Sequence, residues 1–97
     1  MNRYVVLIRF TDQGIREIEG SPKRAANAIA KGKKLGVKVT EVLWTMGSYD
    51  GALLANAPDD ETMTAFCLSI SRLGNVKTQT LRAFSVADFK SVVGKLG

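Results

Sequence analysis

From Arg3 to Phe10 the chain reads Arg-Tyr-Val-Val-Leu-Ile-Arg-Phe, with Tyr4, Val6, Ile8 and Phe10 on one phase and Arg3, Val5, Leu7 and Arg9 on the other. Both phases are apolar in the middle, which predicts a strand covered on two sides. Helices in so short a chain easily cover only one face of a sheet, so something else must cover the other. Thr11 or Asp12 then caps a short helical turn carrying Ile15 and Ile18, and Gly20 breaks it.

Ser21-Pro22 predicts a new helix, with the serine hydroxyl as N-cap and proline at its first position. From Pro22 to Leu35 the apolar stripe is Ala25, Ala26 and Ile29, edged by Ala28 and Leu35. Lys23, Asn27, Lys31 and Lys34 follow the opposite face at helical spacing. Gly32 costs about 1 kcal/mol relative to alanine inside a helix, and Gly36 suits its left-handed end. Val37–Met46 is rich in β-branched residues, but its alternation changes phase between Val39 and Val42, which either a bulge near Thr40-Glu41 or two-sided burial of the far end would explain.

Thr45-Met46-Gly47-Ser48-Tyr49-Asp50-Gly51 follows, a glycine-bracketed corner carrying a tyrosine and a carboxylate. Ala52-Leu53-Leu54-Ala55 is continuous and apolar, fit for an interior strand that Pro58 ends. Asp59 caps the next helix, with Asp60 and Glu61 at the favourable end of its dipole. Met63, Phe66, Cys67, Ile70 and Leu73 form its apolar stripe before Gly74. Val76–Phe84 reads as a fourth strand. Ser85 and Asp88 make a capping box for a short last helix whose apolar face is Phe89, Val92, Val93 and Leu96. The order is β-α-β-β-α-β plus a terminal helix: an α+β, ferredoxin-like topology with a four-stranded antiparallel sheet.

Composition narrows the chemistry. A chain of 97 residues has room for one core and buries only about 60–65% of its unfolded surface, so self-association is an economical source of further burial. No apolar run approaches a membrane span, and the N-terminus enters a strand pattern rather than a signal sequence. With one cysteine, Cys67, and no signal sequence, the expectation is a cytoplasmic protein without disulfides. The absence of histidine excludes histidine-based triads, a proximal-histidine haem site and most zinc sites; no metal or cofactor is expected.

The net charge of +5 arises wholly in residues 1–46, which hold nine Lys/Arg against four Asp/Glu. That excess raises the question of nucleic acid, for which the basic face of Lys23, Lys31 and Lys34 is the only support. An RNA-recognition motif stacks bases on aromatics in its third strand, and here that strand is Ala52-Leu53-Leu54-Ala55. The sequence argues against RNA, and a solvated helix face accounts for the lysines.

The chain resembles the GYD domain family. The likeness rests on Gly47, Tyr49 and Asp50 with Ser48 interposed, on Ser21-Pro22-Lys23-Arg24, on Ala57-Pro58-Asp59-Asp60-Glu61-Thr62, and on Leu73-Gly74-Asn75-Val76 through Leu81-Arg82-Ala83-Phe84. Gly51 departs from the aliphatic residue expected after the aspartate. The resemblance implies a dimeric α/β barrel in which two sheets pack face to face, covering Val5, Leu7 and their neighbours. It implies no particular reaction: related barrel families include haem enzymes, isomerases and cofactor-free monooxygenases, and fold alone does not transfer function.

Three readings follow. The first is a homodimer or higher even oligomer that binds a small molecule in a cleft near its interface, through Trp44, Ser48, Tyr49, Asp50, Arg9 and Arg82. Trp44 offers a stacking face and an N–H donor, and the arginines offer forks for carboxylate or phosphate. The second is a cofactor-free isomerase or monooxygenase with Tyr49 as acid and Asp50 as base. The third is a structural assembly subunit, in which Trp44 is interface core and Asp50 bonds turn amides. Cys67 reads as core packing, and Ser69 and Ser71 as surface residues.

Overall fold

A computed structural model describes residues 1–97. Its strands are β1 (Asn2–Phe10), β2 (Lys38–Trp44), β3 (Gly51–Ala57) and β4 (Val76–Ala83), and its helices are α1 (Asp12–Arg16), α2 (Ser21–Leu35), α3 (Asp60–Ser71) and α4 (Val86–Gly94). A 3-10 turn, Ile18–Gly20, joins α1 to α2. The four-stranded sheet has the order β2-β3-β1-β4 with every pair antiparallel, consistent with a ferredoxin-like fold.

The core lies on one face of the sheet. Tyr4 and Val6 of β1, Leu53, Ala55 and Ala57 of β3, and Val37 meet Met63, Phe66 and Cys67 of α3, each buried. Gly32 lets α2 pass close to α3: a Cβ there would lie 3.0 Å from the Phe66 ring and 3.1 Å from the Val37 carbonyl. Its loss of helix propensity is therefore offset by close packing. The Cys67 thiol contacts the Thr80 hydroxyl at 3.1 Å, and burial pushes its pKa up.

Helix ends follow local chemistry with one correction. The Asp59 carboxylate accepts from Thr62 N at 2.8 Å, and Ser85 with Asp88 forms a reciprocal capping box. Thr11 caps α1 by accepting from Gly14 N. Ser21, in contrast, is already helical, and α2 follows Gly20 with no side-chain cap. The Ser21 hydroxyl instead accepts from Trp44 Nε1 at 2.9 Å, because the 3-10 turn carries the chain into α2 without the extended residue that a hydroxyl cap needs. The register of β2 shifts between Val39 and Glu41, so that Val39 lies opposite Ala55 and Val42 opposite Leu53 on the same sheet face.

The other sheet face has no helix over it. Val5 and Leu7, opposite Leu54 and Ala52, are only half-buried, and Leu43 and Leu81 are exposed. Helix α4 buries none of its residues, and Val86, Phe89, Val93 and Leu96 are each at least half exposed. The predicted apolar face of this helix is uncovered. The chain exposes 6626 Å², against about 5,400 Å² for a compact monomer of 10.5 kDa. Its radius of gyration is 14.5 Å, against about 12.5 Å for a compact chain of this length.

Candidate functional site

Helix α2 does not lie flat on the sheet. Between them is a cavity of about 480 Å³, roofed by Ala25, Ala28 and Ile29 and floored by Ile8, Val42, Leu53 and Gly51. Ile70, Leu73 and Val76 close the side next to the end of α3. The small side chains of α2 make this gap: an alanine stripe leaves open the space that leucines would fill. Trp44, half exposed at the end of β2, pins the start of α2 to the sheet through its bond to Ser21.

The polar part of the lining is sparse and unevenly charged. Arg24, Lys31 and Lys34 are its cations and Asp50 its anion. Arg24 Nη1 donates to the Glu17 carbonyl at 2.8 Å, while Arg24 Nη2 is buried with no hydrogen-bond partner. Ser21 is 8% exposed. The Asp50 carboxylate accepts from Phe10 N at 2.9 Å, closing the end of β1 after its last ladder bond to β3.

The residues singled out from sequence divide between two places. Trp44 and Asp50 line the cavity; Tyr49, Ser48, Arg9 and Arg82 do not. Tyr49 runs along the uncovered sheet face, where its hydroxyl donates to Gln79 Oε1 at 2.9 Å and the Arg9 guanidinium sits 4.7 Å from its ring centre. Its phenol makes no hydrogen bond to Asp50. Ser48 is exposed in the corner. A Cβ at Gly51 would lie 2.9 Å from the Leu43 carbonyl, which explains the glycine at a position where an aliphatic residue is expected.

Arg82 belongs to a polar cluster at the far end of the sheet. It donates to Asn2 Oδ1 at 3.0 Å and stacks 4.7 Å from the Phe84 ring centre. Asn2 Nδ2 reaches Tyr4 Oη at 3.3 Å, and the phenol donates to Asp60 Oδ1 at 2.5 Å. Burial, reinforced by Asp60, pushes the Tyr4 pKa up. Sequence reasoning missed this cluster, and it missed Arg24 as a cavity residue. The one available signal for Arg24 was its position a single turn into α2, next to the alanine stripe of Ala25 and Ala26. Ser69 and Ser71, expected at the surface, are half-buried, Ser69 donating to the Phe66 carbonyl at 2.7 Å and Ser71 within 3.4 Å of Thr78 Oγ1. No group of three or more His, Cys, Asp or Glu stands ready for a metal, and no helix is long and apolar enough to cross a membrane.

Similarity to known proteins extends over nearly the whole chain. The GYD domain family model matches residues 4–93. A Thermus thermophilus protein described as "Glutamine synthetase and cystathionine beta-lyase binding protein" is 32% identical over 89 residues, 91% of this chain and 94% of that protein. The crystal structure of TTHA0845, also from Thermus thermophilus, superposes with a TM-score of 0.62 at 28% identity, covering 89% of this chain and 96% of that one.

Proposed function

The chain belongs to the GYD domain family, and we propose that it is a binding protein: each copy holds a small, mostly apolar molecule between α2 and the sheet, and two copies pair across their open sheet faces. The observation that carries the first part is the 480 Å³ cavity, within the roughly 300–1,000 Å³ of small-molecule sites and lined as they are, with apolar walls and few polar groups. The separation of Tyr49 from Asp50 weighs against the acid–base pair that an isomerase or monooxygenase reading requires.

Pairing is supported by area. The exposure beyond that of a compact monomer is about 1,200 Å² per chain, more than the roughly 800 Å² per partner of a standard interface. A face-to-face pair covers Val5, Leu7, Leu54 and Leu81 and forms the barrel implied by the family resemblance. In that arrangement the ligand cavity lies across the sheet from the interface rather than beside it.

Native mass spectrometry of freshly purified protein tests both parts. The expected result is an even oligomer with a small-molecule adduct, and Ala28→Trp, which fills the cavity, loses the adduct while keeping the oligomer mass. An adduct retained in Ala28→Trp overturns the cavity assignment, and a monomer overturns the pairing. A second reading is favoured by α4: its uncovered Val86, Phe89 and Val93 suit a protein partner, in keeping with the description of the Thermus relative. Sedimentation of the chain with glutamine synthetase and with cystathionine β-lyase from its own source tests it. A complex lost in Phe89→Glu supports it, and independent sedimentation of both enzymes removes it.

A further inference from the structure

We infer that helix α2 is a lid on the cavity and that the Trp44–Ser21 hydrogen bond is its latch. This rests on the reading of the cavity as a ligand site and goes further by naming how that site opens. Only two residues of α2 are buried, Ser21 at its start and Gly32 near its end. Between them the helix spans the gap on Ala25, Ala28 and Ile29, the last of these 43% exposed although it is apolar. The helix is thus held at its ends and stands off the sheet in between.

The two attachments differ in strength. At Gly32 the contact is backbone packing: a side chain there has no room beside the Phe66 ring, and Val37 N donates to the Gly32 carbonyl at 2.7 Å. Upstream, a Cβ at Gly14 would overlap the Asn75 carbonyl, and Thr11 Oγ1 donates to the Gly74 carbonyl at 2.6 Å, so α1 is fixed as well. From residue 15 to residue 31 the one hydrogen bond to the sheet runs from Trp44 Nε1 to Ser21 Oγ, at 2.9 Å. Arg24 bonds only within the segment, to the Glu17 carbonyl. Trp44 is the last residue of β2, lines the cavity and is half exposed, so water can take over its N–H when the bond opens. A neutral bond of this kind contributes little net stability, and segments with few buried apolar contacts open locally while the rest of a domain stays folded. Opening at Ser21, with Gly32 as the pivot, uncovers the cavity on the β2 side.

Hydrogen exchange of the full chain, read by mass spectrometry, tests the latch without a ligand. Ser21→Ala removes the acceptor and Trp44→Phe the donor, so each breaks the bond from one side. Amides of residues 21–31 are expected to exchange about 2- to 10-fold faster in both variants, the range for one neutral hydrogen bond. Exchange in α3 stays unchanged, and the double variant is no faster than the faster single one. Unchanged exchange in both variants, or equal acceleration in α3, overturns the latch. Stopped-flow fluorescence with N-phenyl-1-naphthylamine tests the lid. In Ser21→Ala the entry and exit of this probe should both quicken by the factor seen in exchange, whereas a bond that only shaped the wall would alter affinity and leave entry unchanged. Entry unchanged while exchange quickens overturns the lid and leaves the cavity reading standing. If the probe does not bind and Ala28→Trp leaves the native adduct in place, the cavity reading itself fails and this inference with it.

Discussion

The two faces of the sheet are built from the same strands and nearly the same residue types, yet their fates differ. Val6 is fully buried, whereas Val5, the residue before it, is only half-buried. Leu53 is 3% exposed under the helices, while its neighbour Leu54 looks away from them. Hydrophobicity does not distinguish the faces; what stands opposite does. The covered face has α3 over it, with Met63 and Phe66 in contact with the strands, and α2 over a cavity. The open face has only Tyr49 and Arg9 at one margin. A strand apolar on both phases is thus an instruction for two covers, and this chain provides one.

Three substitutions would break or sharpen that contrast. Phe66→Ala, at the centre of the covered face, should cost about 3–5 kcal/mol in urea unfolding without changing the oligomer mass. Leu54→Asp, on the open face, should raise the dimer dissociation constant about 100-fold, roughly 3 kcal/mol, with the cavity still able to bind. If sedimentation shows unchanged association, the open face is not the interface. Asp50→Ala removes the acceptor for Phe10 N at the margin of both faces, and the loss of about 1–2 kcal/mol should appear as a lower midpoint in the same unfolding assay.

The smallest effects are in the pH profile. The raised pKa of Tyr4 means that the folded state favours the protonated phenol. Its contribution is fully present below the ordinary tyrosine value of 10.0 and is lost as pH rises through the folded-state value. Tyr4→Phe should flatten that alkaline limb of the thermal melting curve. Asp59 and Asp88 have pKa values lowered by the hydrogen bonds of their caps. Their contributions are present above 3.8 and fade as pH falls through the folded-state values, so Asp59→Asn with Asp88→Asn should blunt the acid limb.

The fold was legible because its signals are local. Asp59, the Ser85–Asp88 box, Gly36 and the phase change at Val39 each act within a few residues, and each marks an element end or a shift where the structure has one. The interior position of β3 could be read from an uninterrupted apolar run. The site was less legible. Tyr49 and Asp50 sit where strand alternation lapses, so sequence cannot say on which side of the sheet each side chain emerges. Tyr4 and Asp60 are 56 positions apart, and nothing in either neighbourhood announces their bond. Arg24 reads as one more member of a basic helix; only the placement of α2 above a gap reveals that part of its guanidinium is withheld from water.

The extra residue in β2 has a consequence for how this chain tolerates change in length. Side chains on a strand alternate, so a single insertion or deletion inverts everything downstream. The irregularity between Val39 and Glu41 is such an inversion, already part of the native fold. Deleting Thr40 would remove the irregularity and leave Val39 opposite Ala55 and Glu41 opposite Leu54, so Leu43 and Trp44 would keep their faces and the indole its bond to Ser21. One residue added or lost between Glu41 and Trp44, by contrast, would turn the indole away from Ser21 and bring Leu43 beneath α2. Within β2, a single change in length is therefore absorbed at Thr40 and not further along.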